Sequence, residues 1–146
     1  MRKLAIINGP NLNLLGKREP QIYGNKSLMN IEEQLKELAQ TLKVEVEFYQ
    51  SNYEGDIVEF IQNKAAQLDG IIINPAAFTK TGYSILEALT AVRVPFIEVH
   101  LSNIFARGGW REESIFLHSA VGHIIGFQSQ VYELGVRALL DVVERE

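Results

Sequence analysis

Two hydrophobic periods alternate along this chain, and that alternation limits its fold more than any other feature. Leu4-Ala5-Ile6-Ile7 is a short, continuous apolar run. Leu28, Ile31, Leu35, Leu38 and Leu42 then recur at helical spacing, with Ser27 placed to cap the helix start. Val44, Val46 and Phe48 alternate with glutamates, as in a half-buried strand. Ile57, Phe60, Ile61, Ala65 and Leu68 mark a second helix, for which Gly70 is the expected C-terminal stop. Ile71-Ile72-Ile73 is wholly apolar, and Ile85, Leu86, Leu89 and Val92 are again helical. Phe96-Ile97-Glu98-Val99-His100 reads as a strand opened by Pro95. Ile124, Ile125 and Phe127 read as a fifth strand, and Val131, Leu134, Ala138 and Val142 as a closing helix. Strands that alternate with crossover helices form a parallel sheet covered on both faces.

Five such strands in 146 residues suit an α/β, flavodoxin-like three-layer sandwich with strand order 2-1-3-4-5. No linker, repeat or low-complexity tract divides the chain, so residues 1–146 are expected to form a single domain. The least regular stretches run over 8–26 and 102–119, and long loops in a compact domain tend to be functional. A net charge of −4 argues against generic attachment to nucleic acid or anionic membrane. The absence of cysteine removes disulfides, thiol catalysis and thiolate-held metals. No apolar run approaches the ~18 residues of a membrane span. The apolar run at the N-terminus is shorter than a signal peptide needs, so a cytoplasmic location is expected.

In open α/β sheets, ligands bind beyond the carboxyl ends of the strands, where the strand order switches. Strand 1 runs into Asn8-Gly9-Pro10-Asn11, strand 3 ends at Asn74-Pro75-Ala76-Ala77, and strand 4 ends at Glu98-Val99-His100-Leu101-Ser102-Asn103. These strands are neighbours in the expected order, so their polar tips should converge on one crevice. Phosphate-loop, dinucleotide and serine-hydrolase signatures are absent. The histidines lack the spacing of a metal triad on one element, and His118 and His123 read as structural or surface residues. Arg18 and Tyr23 lie in a loop bounded by Gly16 and Gly24, which can act as a lid. A tyrosine is a poor base at neutral pH unless a cation stabilises its phenolate. Tyr23 reads either as such a base beside Arg18 or as a packed aromatic anchor. Glu98 and His100 share a strand face, so the carboxylate can orient the imidazole, or the pair can simply cap a strand end.

Taken together, these segments resemble the type II 3-dehydroquinate dehydratase family, the type II dehydroquinases. Residues Asn8-Gly9-Pro10-Asn11-Leu12-Asn13-Leu14-Leu15-Gly16 are similar to its opening signature, and Arg18-Glu19-Pro20-Gln21-Ile22-Tyr23-Gly24 to its lid. Asn74-Pro75-Ala76-Ala77-Phe78-Thr79 and Glu98-Val99-His100-Leu101-Ser102-Asn103 are similar to its strand-3 and strand-4 tips. Arg107 and Arg111 fall where that family keeps a pair of arginines.

The resemblance implies loss of water from 3-dehydroquinate to give 3-dehydroshikimate, in the shikimate pathway or quinate catabolism, with no metal or organic cofactor. It implies Tyr23 as the base, held as tyrosinate by Arg18, and Asn11 as the stabiliser of an enolate oxygen through an ordered water. His100 is the implied acid, oriented by Glu98, and Asn74 positions the departing hydroxyl. The substrate carboxylate is expected on Ser102 and the backbone N–H groups of Leu101 and Ser102, with Arg111 on ring hydroxyls. The implied assembly is a homododecamer built from trimers, acting on a small molecule and on neither nucleic acid nor membrane. Some positions depart from the family pattern. Lys80 stands where a histidine is usual in the substrate site, and Glu87 where an aspartate usually reaches a neighbouring subunit's site. Gly108-Gly109 replace acidic residues, and Trp110 replaces a phenylalanine. Rival readings are an enolising enzyme with an altered ring substrate, chosen through Lys80, and a ligand-binding protein without turnover.

Overall fold

The computed structural model describes residues 1–17, 19–109 and 113–145. Its strands are β1 (Lys3–Asn8), β2 (Glu45–Gln50), β3 (Gly70–Asn74), β4 (Phe96–His100) and β5 (Gly122–Ile125). All pair in parallel, in the order β2-β1-β3-β4-β5. The helices are α1 (Pro20–Tyr23), α2 (Leu28–Leu42), α3 (Glu54–Lys64), α4 (Tyr83–Val92), α5 (Ile104–Arg107) and α6 (Gln130–Glu144). This is the doubly wound, flavodoxin-like arrangement expected from the alternating periods. The single-turn helices α1 and α5 fall within the irregular stretches 8–26 and 102–119.

The sheet separates two apolar layers. Leu4, Ile6, Ile72, Ile97 and Val99 face α2 and α6, meeting Ile31, Leu35, Val136 and Leu139. Ala5, Ile7, Ile71, Ile73 and Phe96 face α3 and α4, meeting Ile57, Ile61, Ile85 and Leu89. Successive strand residues point to opposite faces, so a strand covered on both sides must be apolar at every position. That is why the β1 and β3 runs are continuous, whereas β2, at the sheet edge, alternates with glutamates. Each fully buried aliphatic side chain contributes about 1.5–3 kcal/mol.

Local signals hold at several ends. Ser27 Oγ accepts from the Asn30 N–H at 3.1 Å, and Asn30 Oδ1 accepts from the Ser27 N–H at 3.3 Å. This reciprocal box starts α2 as anticipated. Two expectations are corrected. Gly70 does not stop a helix; it opens β3 opposite Leu4, while α3 runs out through a 3-10 turn at Ala65–Gln67. A Cβ on Gly70 would sit 2.7 Å from Leu139 Cδ2, so glycine lets α6 pack closely on the sheet. Phe127 is not part of β5. Gly126, Phe127 and Gln128 form a left-handed run (φ 83°, 67° and 52°), and Phe127 is 68% exposed. Gly126 N–H donates to the His100 carbonyl and Gln128 N–H to the Leu101 carbonyl. The chain therefore folds back onto the β4 tip instead of continuing the ladder. Among the described residues, no helix is long and apolar enough to cross a membrane.

Candidate active site at the strand tips

Asn8 and Asn74, the last residues of β1 and β3, are register partners and both are buried. Tyr132 rises between them from α6. Its hydroxyl donates to Asn8 Oδ1 and accepts from Asn74 Nδ2 at 3.2 Å. Burial pushes the Tyr132 phenol upward, against the hydrogen bond from Asn74 that lowers it, so it stays a neutral donor. Asn74 Oδ1 also accepts from the Ala76 N–H at 3.2 Å. Asn8 was legible as a polar strand tip, whereas Tyr132 was not, because it reads as ordinary core composition on a helix. Together they form a buried polar floor that fixes the β1 and β3 tips.

The β4 tip supplies the ionisable groups. Glu98 is completely buried, and its Oε2 lies 2.7 Å from His100 Nε2. The i, i+2 spacing thus places both side chains on one face, as expected. Ser114 Oγ lies 2.8 and 2.7 Å from the two carboxylate oxygens of Glu98, donating from the loop that leads to β5. His123, read from the sequence as structural or surface, stands beside this pair. It is the register partner of Glu98, and its Nε2 lies 3.9 Å from Glu98 Oε1. Its ring meets His100 edge-on, with centroids 5.4 Å apart. Burial pushes the His123 imidazole down, Glu98 pulls it up, and His100 pushes it down further. His118, by contrast, is exposed.

Ala76, Thr79, His100, Leu101, Ser102, Ile104 and Arg107 line a crevice beyond these tips. The lining pairs apolar side chains with a few polar groups, as small-molecule sites do. Ala76 adopts φ 51°, a left-handed conformation unusual for a residue with a Cβ, right at the lining.

Arg107, at the end of α5, joins the crevice to the first loop. Its Nη1 donates to the Tyr23 hydroxyl at 2.7 Å and to Ser102 Oγ at 3.1 Å. The guanidinium also sits 5.1 Å from the Tyr23 ring centroid. The sequence named Arg18 as the cation beside Tyr23; Arg18 and Arg111 lie outside the described residues. Arg107 was noted only as one of an arginine pair, since its approach to Tyr23 depends on how two distant loops meet. Asn103 shapes that approach by accepting from the Phe105 and Ala106 N–H groups at the start of α5.

The remaining expected residues lie further out. Asn11 is exposed and left-handed (φ 67°), with its N–H donating to Asn52 Oδ1 at 3.0 Å. Lys80 pairs with Glu113 at 3.3 Å and is 44% exposed. Glu87 is exposed on α4 and is not among the residues that line the crevice.

Comparison with known proteins agrees with this geometry. The family model for dehydroquinase class II matches residues 2–140. A 3-dehydroquinate dehydratase of Halothermothrix orenii is 44% identical over 145 residues, covering 99% of this chain and 98% of that protein. One from Endomicrobium trichonymphae is 48% identical over 143 residues, covering 98% of this chain and all of that protein. The crystal structure of a type II dehydroquinase from Butyrivibrio crossotus superposes with a TM-score of 0.92 at 40% identity, covering 95% of this chain and 97% of that one. With the family model matched across nearly the whole chain and relatives 44% and 48% identical over almost their full length, this chain belongs to the class II dehydroquinase family.

Proposed function

We propose that the chain is a hydro-lyase that removes water from 3-dehydroquinate to give 3-dehydroshikimate through an enolate. The observation that carries this reading is a phenol in contact with a permanent cation, Tyr23 on Arg107, beside a crevice lined by His100. Removing a proton α to a ketone needs a base, a stabiliser for the enolate oxygen and an acid for the departing hydroxyl.

In this mechanism the Tyr23 oxygen, as tyrosinate, takes the α proton. The C–H electron pair moves toward the ketone oxygen, whose negative charge Asn11 meets through a water. The enolate then collapses, the carbon–oxygen bond to the leaving hydroxyl breaks, and His100 protonates that hydroxyl to release water. With His100 Nε2 turned to Glu98, the proton travels on Nδ1. Glu98 fixes the ring and is the counter-ion of its imidazolium form. Arg107 offers charge-assisted hydrogen bonding to the phenol oxygen, a role we add to that of Arg18 on the lid. One amide proton of Asn74 remains for the departing hydroxyl, since Asn carries two. Ser102 and the N–H groups of Leu101 and Ser102 take the substrate carboxylate, and Arg111 and Lys80 take other oxygens. Glu87, exposed on α4, serves a neighbouring subunit's site in a dodecamer of trimers. The product fits the shikimate pathway to aromatic amino acids, or quinate catabolism.

The test is to add 3-dehydroquinate and follow the ultraviolet absorbance of the conjugated enone product. A steady rise is expected. Tyr23→Phe should lower kcat by orders of magnitude with KM largely kept. No rise at high protein concentration would reject the activity, and a near-normal kcat in Tyr23→Phe would place the base elsewhere.

A further inference from the structure

We propose that Glu98, His100 and His123 form a binding site for a divalent metal ion of the zinc class, and that occupancy of this site stops turnover. The second half rests on the reading of His100 as the acid; the first does not. Glu98 and His100 are two apart on β4, and His123 is the β5 register partner of Glu98. All three side chains therefore leave the same face of two adjacent strands. Their ligating atoms lie within 4.8 Å of one another. In a tetrahedral zinc site with bonds of ~2.0–2.2 Å, ligand atoms stand about 3.3–3.6 Å apart. The 2.7 Å contact of His100 with Glu98 and the 3.9 Å approach of His123 bracket that spacing. Small side-chain rotations bring all three to it.

Two further features favour an ion. His123 Nε2 is buried and, among the described residues, has no hydrogen-bond partner. A buried polar atom left in this state calls for a missing water or ion. Glu98 is also held as a metal-ligating carboxylate usually is. One oxygen faces each imidazole, while the Ser114 hydroxyl bonds to both and orients the group from outside. Two imidazoles and a carboxylate select zinc, cobalt or nickel over calcium and magnesium, which take oxygen ligands. Three protein ligands leave one coordination position open. A bound ion would take the Nε2 lone pair of His100 and the carboxylate that serves as its counter-ion, leaving on Nδ1 only the proton of a neutral imidazole, a far weaker acid than the imidazolium, for the departing hydroxyl.

The test titrates untagged, metal-free protein with zinc chloride, reading affinity by competition with a chromophoric chelator. One zinc per chain at micromolar affinity is expected, weakened more than about 100-fold in His123→Val, beyond the loss expected for a merely supporting contact. His123→Gln is a second variant that keeps a polar side chain at that position, and circular dichroism checks that both fold. His118→Ala, which removes an exposed histidine, should bind as the parent does. Wild-type turnover should fall in step with zinc occupancy, recover with chelator, and resist zinc in the His123 variants. No binding at millimolar zinc, or equal binding in both His123 variants, would overturn the site. Zinc bound through His123 with turnover unaffected would uphold the site and overturn its control of turnover. If metal-free protein does not act on 3-dehydroquinate, the proposed activity fails, and the zinc titration still decides the site.

Discussion

Gly9→Ala should damage both stability and substrate binding, and the structure sets the size of the effect. Gly9 follows β1 and donates its N–H to the Asn74 carbonyl at 2.9 Å. A Cβ there would lie 2.4 Å from the Pro75 oxygen, 2.9 Å from the Pro75 carbonyl carbon and 3.3 Å from the Asn74 oxygen. Ordinary contact begins at 3.4 Å, so the β1 and β3 tips must part by about 1 Å. The colliding atoms are backbone and cannot swing aside as a side-chain end would. Overpacking costs ~1–3 kcal/mol, and weakening the hydrogen bond to Asn74 adds ~1 kcal/mol. A loss of ~2–4 kcal/mol at ~3 °C per kcal/mol lowers Tm by ~6–12 °C. The same movement displaces Pro75 and Ala76, and Ala76 lines the crevice, so KM should rise as well. The control is Gly55→Ala in α3, where an added Cβ meets nothing within 4 Å. Less freedom in the unfolded chain should stabilise that variant by ~0.4–1 kcal/mol. Differential scanning calorimetry and enone-formation kinetics measure both. A Gly9→Ala protein with the parent's Tm and KM would refute the close approach of the two tips.

Further outcomes follow from the same contacts. Tyr132→Phe leaves Asn8 Oδ1 without its donor and removes the Asn74 acceptor, so it should cost ~1–3 kcal/mol in urea titration near neutral pH. The folded Tyr132 phenol is raised above its unfolded value, so its contribution is present below pH ~10 and declines above it as the unfolded chain ionises. That decline, up to ~1.4 kcal/mol per pH unit, should be shallower in Tyr132→Phe; identical alkaline curves would contradict it. Arg107→Met should lower kcat by ~10²–10³, as loss of one preorganised donor does, while an unchanged kcat would remove Arg107 from the mechanism. Gly70→Ala should cost ~1–3 kcal/mol through the Leu139 contact, and Leu139→Ala in the same chain should relieve part of the clash, measured as a double-mutant cycle.

What could be read from the residues alone was whatever lies within one element or one short motif. Apolar periodicity gave the class of sheet, because the side-chain direction repeats every two residues in a strand and every 3.6 in a helix. The box at Ser27 and the Glu98–His100 pair are local for the same reason. The motif segments likewise marked the family and the crevice-forming tips. Gly70 and Phe127 were misread because a glycine and an apolar residue look alike to local rules, whether they end a helix, admit a packed leucine or turn a chain back on itself.

Tertiary structure decided the rest. Arg107 reaches Tyr23 across 84 residues, and Tyr132 reaches Asn8 across 124. His123 joins Glu98 only through the β4–β5 register. Side-chain spacing specifies the face on which a residue sits, whereas the face it meets depends on how strands slide and loops close. Those are settled by burying both apolar layers at once, a property of the whole chain and of no segment within it.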